Sequence, residues 1–232
     1  MFVLKYISFS EMARYISNLT KLGVELTAEE RNLLSLSYKN LIGPKRSALR
    51  VVSAAVEKEE EFGSPYLEYY RMFKRQIEKE MRDLANNIIG LAENYLLKQE
   101  NPPESTVFYL KLKADYLRYL AEFEVGNDKH DAAEYSLAAY KEAYELAVNT
   151  LQPTHPIRLG VALNLSVFYY EITNAADRAC KLAKQAFDDA IAELDNISDE
   201  SYKDSTLIMQ LIRDNLALWV ADMQKDEKDP RE

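Results

Sequence analysis

A chain of 232 residues can bury a large core, and nothing in its composition requires more than one structural unit. Its 6 Gly and 7 Pro are few for this length, and helix-forming residues are abundant, so the composition favours an all-α fold. The net charge of -9 argues against a nucleic-acid surface unless the basic residues form one patch.

Cysteine and histidine are too sparse to form a disulfide or a metal site. Cys180 is the only cysteine, and His130 and His155 lie far apart in the sequence. No run of residues approaches the ~20 apolar positions that a membrane-spanning helix needs. We therefore expect a soluble, cytoplasmic protein that needs no cofactor or metal ion and binds neither membrane nor nucleic acid.

Cap and turn signals divide the chain into helices. Thr27 and Glu30 form a capping box, which predicts a helix that continues to about Glu61. Two shorter segments precede it, broken near Phe9 and Ser10. Proline, glycine and asparagine mark the later breaks, and together the segments give nine helices and no strand. The later helices are expected at about 65–97, from 105 to near 126, and at 128–149, 157–173, 176–194 and 201–223.

Cationic side chains recur at a spacing that aligns them on helix faces. Lys39 and Arg46 lie seven residues apart, so two helical turns bring them to nearly one face, where both can point at one anion. Lys111 and Arg118 repeat the spacing. Spacing alone favours solvated cations, since basic residues on long helices are usually exposed. The same interval also separates Asn164 from Glu171 and Leu211 from Leu218.

Four of the polar candidates stand in apolar surroundings. Arg118 and Tyr119 lie between two leucines of an apolar stripe, which predicts partial burial. Asn164 and Asn215 likewise stand in largely apolar stretches, Ala-Leu-Asn-Leu and Asp-Asn-Leu-Ala-Leu-Trp. Buried amides need hydrogen-bond partners, and the main chain of a bound peptide is one candidate.

Four segments of the chain resemble the 14-3-3 family. Residues 31–50, RNLLSLSYKNLIGPKRSALR, are closely similar to the first signature of that family, and residues 202–219, YKDSTLIMQLIRDNLALW, are similar to the second. Residues 108–122 and the stretch from 152 to 171 also resemble it. The resemblance extends over roughly residues 23–222.

The resemblance implies an all-α fold of nine antiparallel helices that form a cup with an amphipathic peptide-binding groove. It also implies an adaptor, not an enzyme, that binds phosphoserine or phosphothreonine segments of client proteins and regulates them. The implied phosphate-binding residues are Lys39, Arg46, Arg118 and Tyr119. The implied peptide-binding residues are Lys111 at the groove floor, Asn164 and Asn215 for the peptide main chain, Glu171 and Trp219 as polar contacts, and Leu163, Val167, Leu211 and Leu218 as an apolar wall.

Departures from the family pattern concern one helix and the two ends. Pro44 and Leu49 replace a small residue and a tryptophan, and a proline inside a helix can kink it. We expect one 14-3-3-like domain over residues 1–224, with a divergent N-terminal dimerisation region at 1–22 and a short flexible tail at 225–232.

The predicted dimer contact lacks two cations. Ser8 stands where the family usually has an arginine opposite Glu80, and Gln76 stands where it usually has a lysine opposite Glu11. A homodimer or heterodimer is therefore expected to be weakened or atypical, although apolar residues such as Phe2 offer a replacement surface.

Two other interpretations remain at the sequence level. A helical scaffold of tetratricopeptide type would bind peptides independently of phosphate, as the small and aromatic residues of the 176–194 segment allow. An enzyme is disfavoured because the chain has no glycine-rich phosphate loop, no paired nucleophile and base, and no metal-ligand spacing.

Overall fold

The computed structural model describes residues 8–197 and 199–228, and within these ranges the regular structure is entirely helical. The all-α prediction is confirmed. The chain divides into two compact units, one up to Glu100 and one from Asn101 onward. No helix in the described ranges is both long enough and apolar enough to cross a membrane.

The first unit contains three α-helices that pack in chain order, α1 on α2 and α2 on α3. Short connections between packed neighbours favour antiparallel pairs. The chain ends this unit with a five-residue π-helical turn that continues directly from α3. The elements are α1 (Phe9–Thr20), α2 (Ala28–Glu61), α3 (Leu67–Leu91) and the π-helical turn Ala92–Leu96.

The second unit contains five α-helices, in which α4 packs against α5 and α6, and α6 packs against α7 and α8. The elements are α4 (Pro103–Ala121), α5 (Gly126–Thr150), α6 (Pro156–Glu171), α7 (Ala176–Ala192) and α8 (Asp199–Lys228), with a short 3₁₀ turn at Leu194–Asn196. Because α8 continues to Lys228, residues 225–228 of the predicted tail are helical.

The helix count is eight in the described part of the chain, where nine helices were predicted. The predicted break near Phe9 and Ser10 lies within two residues of the start of α1, where Ser8 is the N-cap. The Ser8 hydroxyl accepts a hydrogen bond from the Glu11 amide at 3.2 Å, and the Glu11 carboxylate accepts one from the Ser8 amide at 3.1 Å. The segment predicted before this break lies outside the described residues.

The capping box predicted for α2 is confirmed. The Thr27 hydroxyl accepts from the Glu30 amide at 3.2 Å, and Glu30 accepts from the Thr27 amide at 2.8 Å. The helix runs through Pro44 without ending, although proline removes one backbone donor. Leu49 is buried on the inner face of α2. Lys39 and Arg46 therefore belong to one continuous helix.

The core of the second unit depends on small residues along α7. Ala179, Ala183, Ala186 and Ala190 recur at helical spacing and are all buried, so α6 and α8 can pack closely against this face. A second cluster joins α4, α5 and α6 around Tyr140. Since α4 packs against two helices, most of its surface is buried, including charged positions.

Candidate functional site

The two candidate cations of the first unit lie on α2, and one of them, Lys39, borders an open pocket. Lys39 is exposed and Arg46 is half-buried. The pocket has a volume of about 560 Å³ and is bordered by Lys39 together with Leu33 and Leu36, which are 38% and 46% exposed. A cation beside exposed leucines gives this face of α2 an amphipathic character. Glu29, Asn32 and Ser35 complete the lining.

Arg118 on α4 is a buried cation with fixed geometry. Only 5% of the residue is exposed. Its Nε donates to the hydroxyl of Tyr140 at 3.2 Å, and Nη1 donates to Oε1 of Glu122 at 3.2 Å. The guanidinium carbon lies 4.8 Å from the centre of the Tyr119 ring, a cation–π distance. These contacts, which come from α4 and α5, hold the guanidinium plane in one orientation.

Asp115, one helical turn before Arg118, connects polar side chains from three helices of this unit. Its Oδ2 accepts a hydrogen bond from Lys111 Nζ at 2.7 Å, and its Oδ1 accepts one from Asn164 Nδ2, also at 2.7 Å. The Tyr140 hydroxyl donates to the same Oδ1. Arg118 Nη2 lies 4.0 Å from Oδ1. Side chains from α4, α5 and α6 thus converge on one buried carboxylate, and we call these five residues the Asp115 network.

Burial and neighbouring charge act in opposite directions on the Asp115 network. Burial raises the pKa of Asp115, but the charges of Lys111 and Arg118 outweigh it and bring that pKa below its usual value. Burial and the adjacent Asp115 charge raise the pKa of Tyr140 well above its usual value. The network therefore contains a carboxylate anion, a neutral phenol and two cations at physiological pH.

The candidate residues of α6 form one half-buried strip. Leu163, Asn164 and Val167 are all partly exposed, while Glu171 at the end of the helix is exposed. The bond from Asn164 Nδ2 to Asp115 fixes which way the amide faces. Because that bond uses an N–H, the amide oxygen is oriented to accept from another donor.

The candidate residues of α8 differ in exposure. Leu211 and Leu218 are 47% and 57% exposed, and Asn215 between them is half-buried. Trp219 is only 3% exposed and stacks on Tyr170, with ring centres 4.9 Å apart and planes 19° from parallel. The indole therefore packs mainly in the core of α6, α7 and α8.

The structure brings four of the predicted residues, Lys111, Arg118, Tyr119 and Asn164, around or beside Asp115 within the second unit. Lys39 and Arg46 belong to the first unit, so the complete set of four phosphate ligands stays a prediction.

Comparisons with known proteins give the family. The family model described as 14-3-3 protein matches residues 5–220. The chain belongs to the 14-3-3 family. It is 56% identical over 223 residues to 14-3-3 protein epsilon of Drosophila melanogaster, covering 96% of this chain and 85% of that relative. It is 51% identical over 224 residues to 14-3-3 protein zeta of Bombyx mori, covering 97% and 90%.

Members of the 14-3-3 family are adaptors that bind client proteins, and they are not enzymes. The match also begins at residue 5, so this chain follows the family pattern further toward its N-terminus than its signatures alone indicate. Among the residues that the structure describes, no group of three or more His, Cys, Asp or Glu side chains is placed to hold a metal ion.

Sequence reasoning missed two members of the Asp115 network in this 14-3-3 chain. Asp115 had a usable signal, because Lys111, Asp115 and Arg118 at intervals of four and three form a charged stripe on a helix whose other positions are mostly apolar. Tyr140 had none, since its place beside Asp115 depends on how α5 packs against α4.

Proposed function

We propose that this 14-3-3 protein is a cytoplasmic adaptor that binds client proteins through phosphoserine or phosphothreonine. Lys39, Arg46, Arg118 and Tyr119 bind the phosphate in this proposal. Asn164 and Asn215 bond the peptide main chain, with Lys111, Glu171 and Trp219 beside them. The apolar wall of the groove consists of Leu163, Val167, Leu211 and Leu218.

The observation that carries the proposal is the orientation of Arg118. A buried guanidinium is costly unless it has partners, and this one is held by Tyr140, Glu122 and the Tyr119 ring. Two of its five N–H donors are used in these hydrogen bonds, so the others can serve an anion. A rigid cation loses little conformational entropy on binding, which favours a fixed phosphate over a diffuse counterion.

The peptide-binding half of the proposal is supported by the exposure pattern of α6 and α8. On each of these helices, exposed or partly exposed apolar residues stand beside an asparagine, so α6 and α8 each offer both apolar contact and amide hydrogen bonds. An extended peptide needs both, because its main chain loses hydration on binding.

The alternative is phosphate-independent peptide binding, as in a tetratricopeptide-type scaffold. Membership of the 14-3-3 family disfavours it. Calorimetry with an Arg-Ser-x-pSer-x-Pro peptide and its unphosphorylated twin distinguishes the two. We expect at least about a hundredfold tighter binding of the phosphorylated peptide, since two to three charge-assisted bonds are at stake. Equal affinities would favour the scaffold alternative.

A further inference from the structure

The geometry points to Asp115 as a positioning residue that links Arg118 to Asn164, so that phosphate binding and main-chain binding in the second unit depend on one buried carboxylate. This inference rests on the proposed function and deepens it, because Asp115 itself need not touch the ligand.

Hydrogen bonds connect Arg118 to Asn164 through two intermediate side chains. Asp115 Oδ1 accepts from Asn164 Nδ2 at 2.7 Å and from the Tyr140 hydroxyl, whose oxygen in turn accepts from Arg118 Nε at 3.2 Å. Arg118 and Asn164 thus share a hydrogen-bonded path of two intermediates. Each side chain is held on the side that faces Asp115 or Tyr140, so its remaining polar atoms point elsewhere.

Three members of the network are buried. Asp115 is 7% exposed, Arg118 is 5% exposed and Tyr140 is fully buried. Hydrogen bonds in such surroundings are strong and their geometry is well defined, because water cannot replace a lost partner. Removing one acceptor from this network therefore releases several side chains together.

The charge of Asp115 separates this role from two simpler ones. Asp115 is an anion beside a proposed anion site, so its charge alone repels phosphate. If Asp115 acted only through charge, its neutralisation would strengthen binding. If it only stabilised the fold, neutralisation would lower the melting temperature and leave affinity unchanged. A positioning role predicts weaker binding in a folded protein.

The test is Asp115→Asn, with affinity measured by calorimetry for the Arg-Ser-x-pSer-x-Pro peptide and folding checked by circular dichroism. We expect about tenfold weaker binding, the effect of losing one hydrogen bond to a charged group. In the Asn164→Ala background, Asp115→Asn is expected to weaken binding less than it does alone, because its effect through Asn164 has already been lost.

Tyr140→Phe provides a second variant that leaves every charge in place. It removes the hydroxyl between Asp115 and Arg118, and we expect binding to weaken several-fold. Tyr144→Phe, one turn further along α5 and half-buried, is the matched control and should bind as the wild type. If Asp115→Asn does not fold, the phosphopeptide affinity of Tyr140→Phe alone tests the positioning role.

The outcomes separate this inference from the proposed function. A wild-type protein that does not discriminate between the two peptides would overturn both. Phosphate-dependent wild-type binding, with equal or tighter binding by folded Asp115→Asn and unchanged binding by Tyr140→Phe, would overturn the positioning role alone. Additive losses in the double variant would also contradict it.

Discussion

Two cations and two anions contact one another around Arg118, so their charges balance. Lys111 and Arg118 are cations, while Asp115 and Glu122 are anions that contact them. A phosphoserine carries about -1.5 to -2 charges. The second unit thus offers a phosphate group well-oriented hydrogen-bond donors but little net positive charge. In the proposed site the surplus positive charge comes from Lys39 and Arg46 on α2.

Arg46→Ala is therefore expected to weaken phosphopeptide binding by about 1.5 to 3 kcal/mol, roughly ten- to a hundredfold, without unfolding the protein. Lys58→Ala, which removes an exposed cation from the last turn of α2, is the control and should leave affinity nearly unchanged. The measurement is calorimetry with the phosphorylated peptide. A folded Arg46→Ala protein with wild-type affinity would remove Arg46 from the site.

At the scale of single elements, α6 begins at a titratable cap. The Nδ1 atom of His155 accepts a hydrogen bond from the Ile157 amide at 3.2 Å, so the ring must be neutral at that nitrogen. Burial lowers the pKa of His155 below its ordinary value of 6.5, and Glu104, with Oε2 4.0 Å from Nε2, opposes this only in part. Protonation thus costs more in the folded state than in the unfolded chain.

The sign of the pH effect follows from the lowered pKa. The cap contributes its full stabilisation above about pH 6.5, and that contribution is lost as the pH falls from 6.5 through the folded-state pKa. His155→Asn keeps a capping side chain that does not titrate. We expect urea unfolding of the wild type to lose more stability between pH 7 and pH 5.5 than that of His155→Asn. Equal losses of unfolding free energy in the two proteins would show that titration of the His155 cap does not affect stability.

Helix starts could be predicted from the sequence because their signals lie in neighbouring residues. Contacts between helices could not, because they depend on how the helices pack. The capping box at Thr27 and the prolines that open α4 and α6 involve neighbouring residues, so these helix starts were predictable. The capping box of Ser8 and Glu11 is an equally local pattern, and the predicted break fell one to two residues beyond this cap. The link between Asp115 and Tyr140 joins positions 25 residues apart on two helices, and the sequence has no pattern for such a contact.

At the scale of the whole molecule, polar and apolar surface have opposite effects on self-association. Family members bind protein partners and dimerise. In this chain Ser8 and Glu11, which are expected at the dimer contact, hydrogen-bond to each other in the cap of α1. On α3, Glu80 contacts Lys45 and accepts from Gln76 Nε2 at 2.7 Å, all within one chain.

Exposed apolar side chains on α3 favour dimerisation. Tyr69 is 72% exposed, and Met72 and Phe73 are each 57% exposed, so a second copy that covered them would gain hydrophobic stabilisation. Exposed ion pairs contribute only ~0 to 1 kcal/mol each, so their loss weakens such a contact without abolishing it.

We therefore predict a weak dimer with a substantial monomer fraction at micromolar concentration, and single-site peptide binding that persists in the monomer. Sedimentation equilibrium over a dilution series measures the dissociation constant. Gln76→Lys restores a cation at the position opposite the partner's Glu11, and it should shift the equilibrium toward dimer at low salt and less so at high salt. A wild-type dimer that stays intact at nanomolar concentration would contradict the prediction, because apolar burial alone would then suffice.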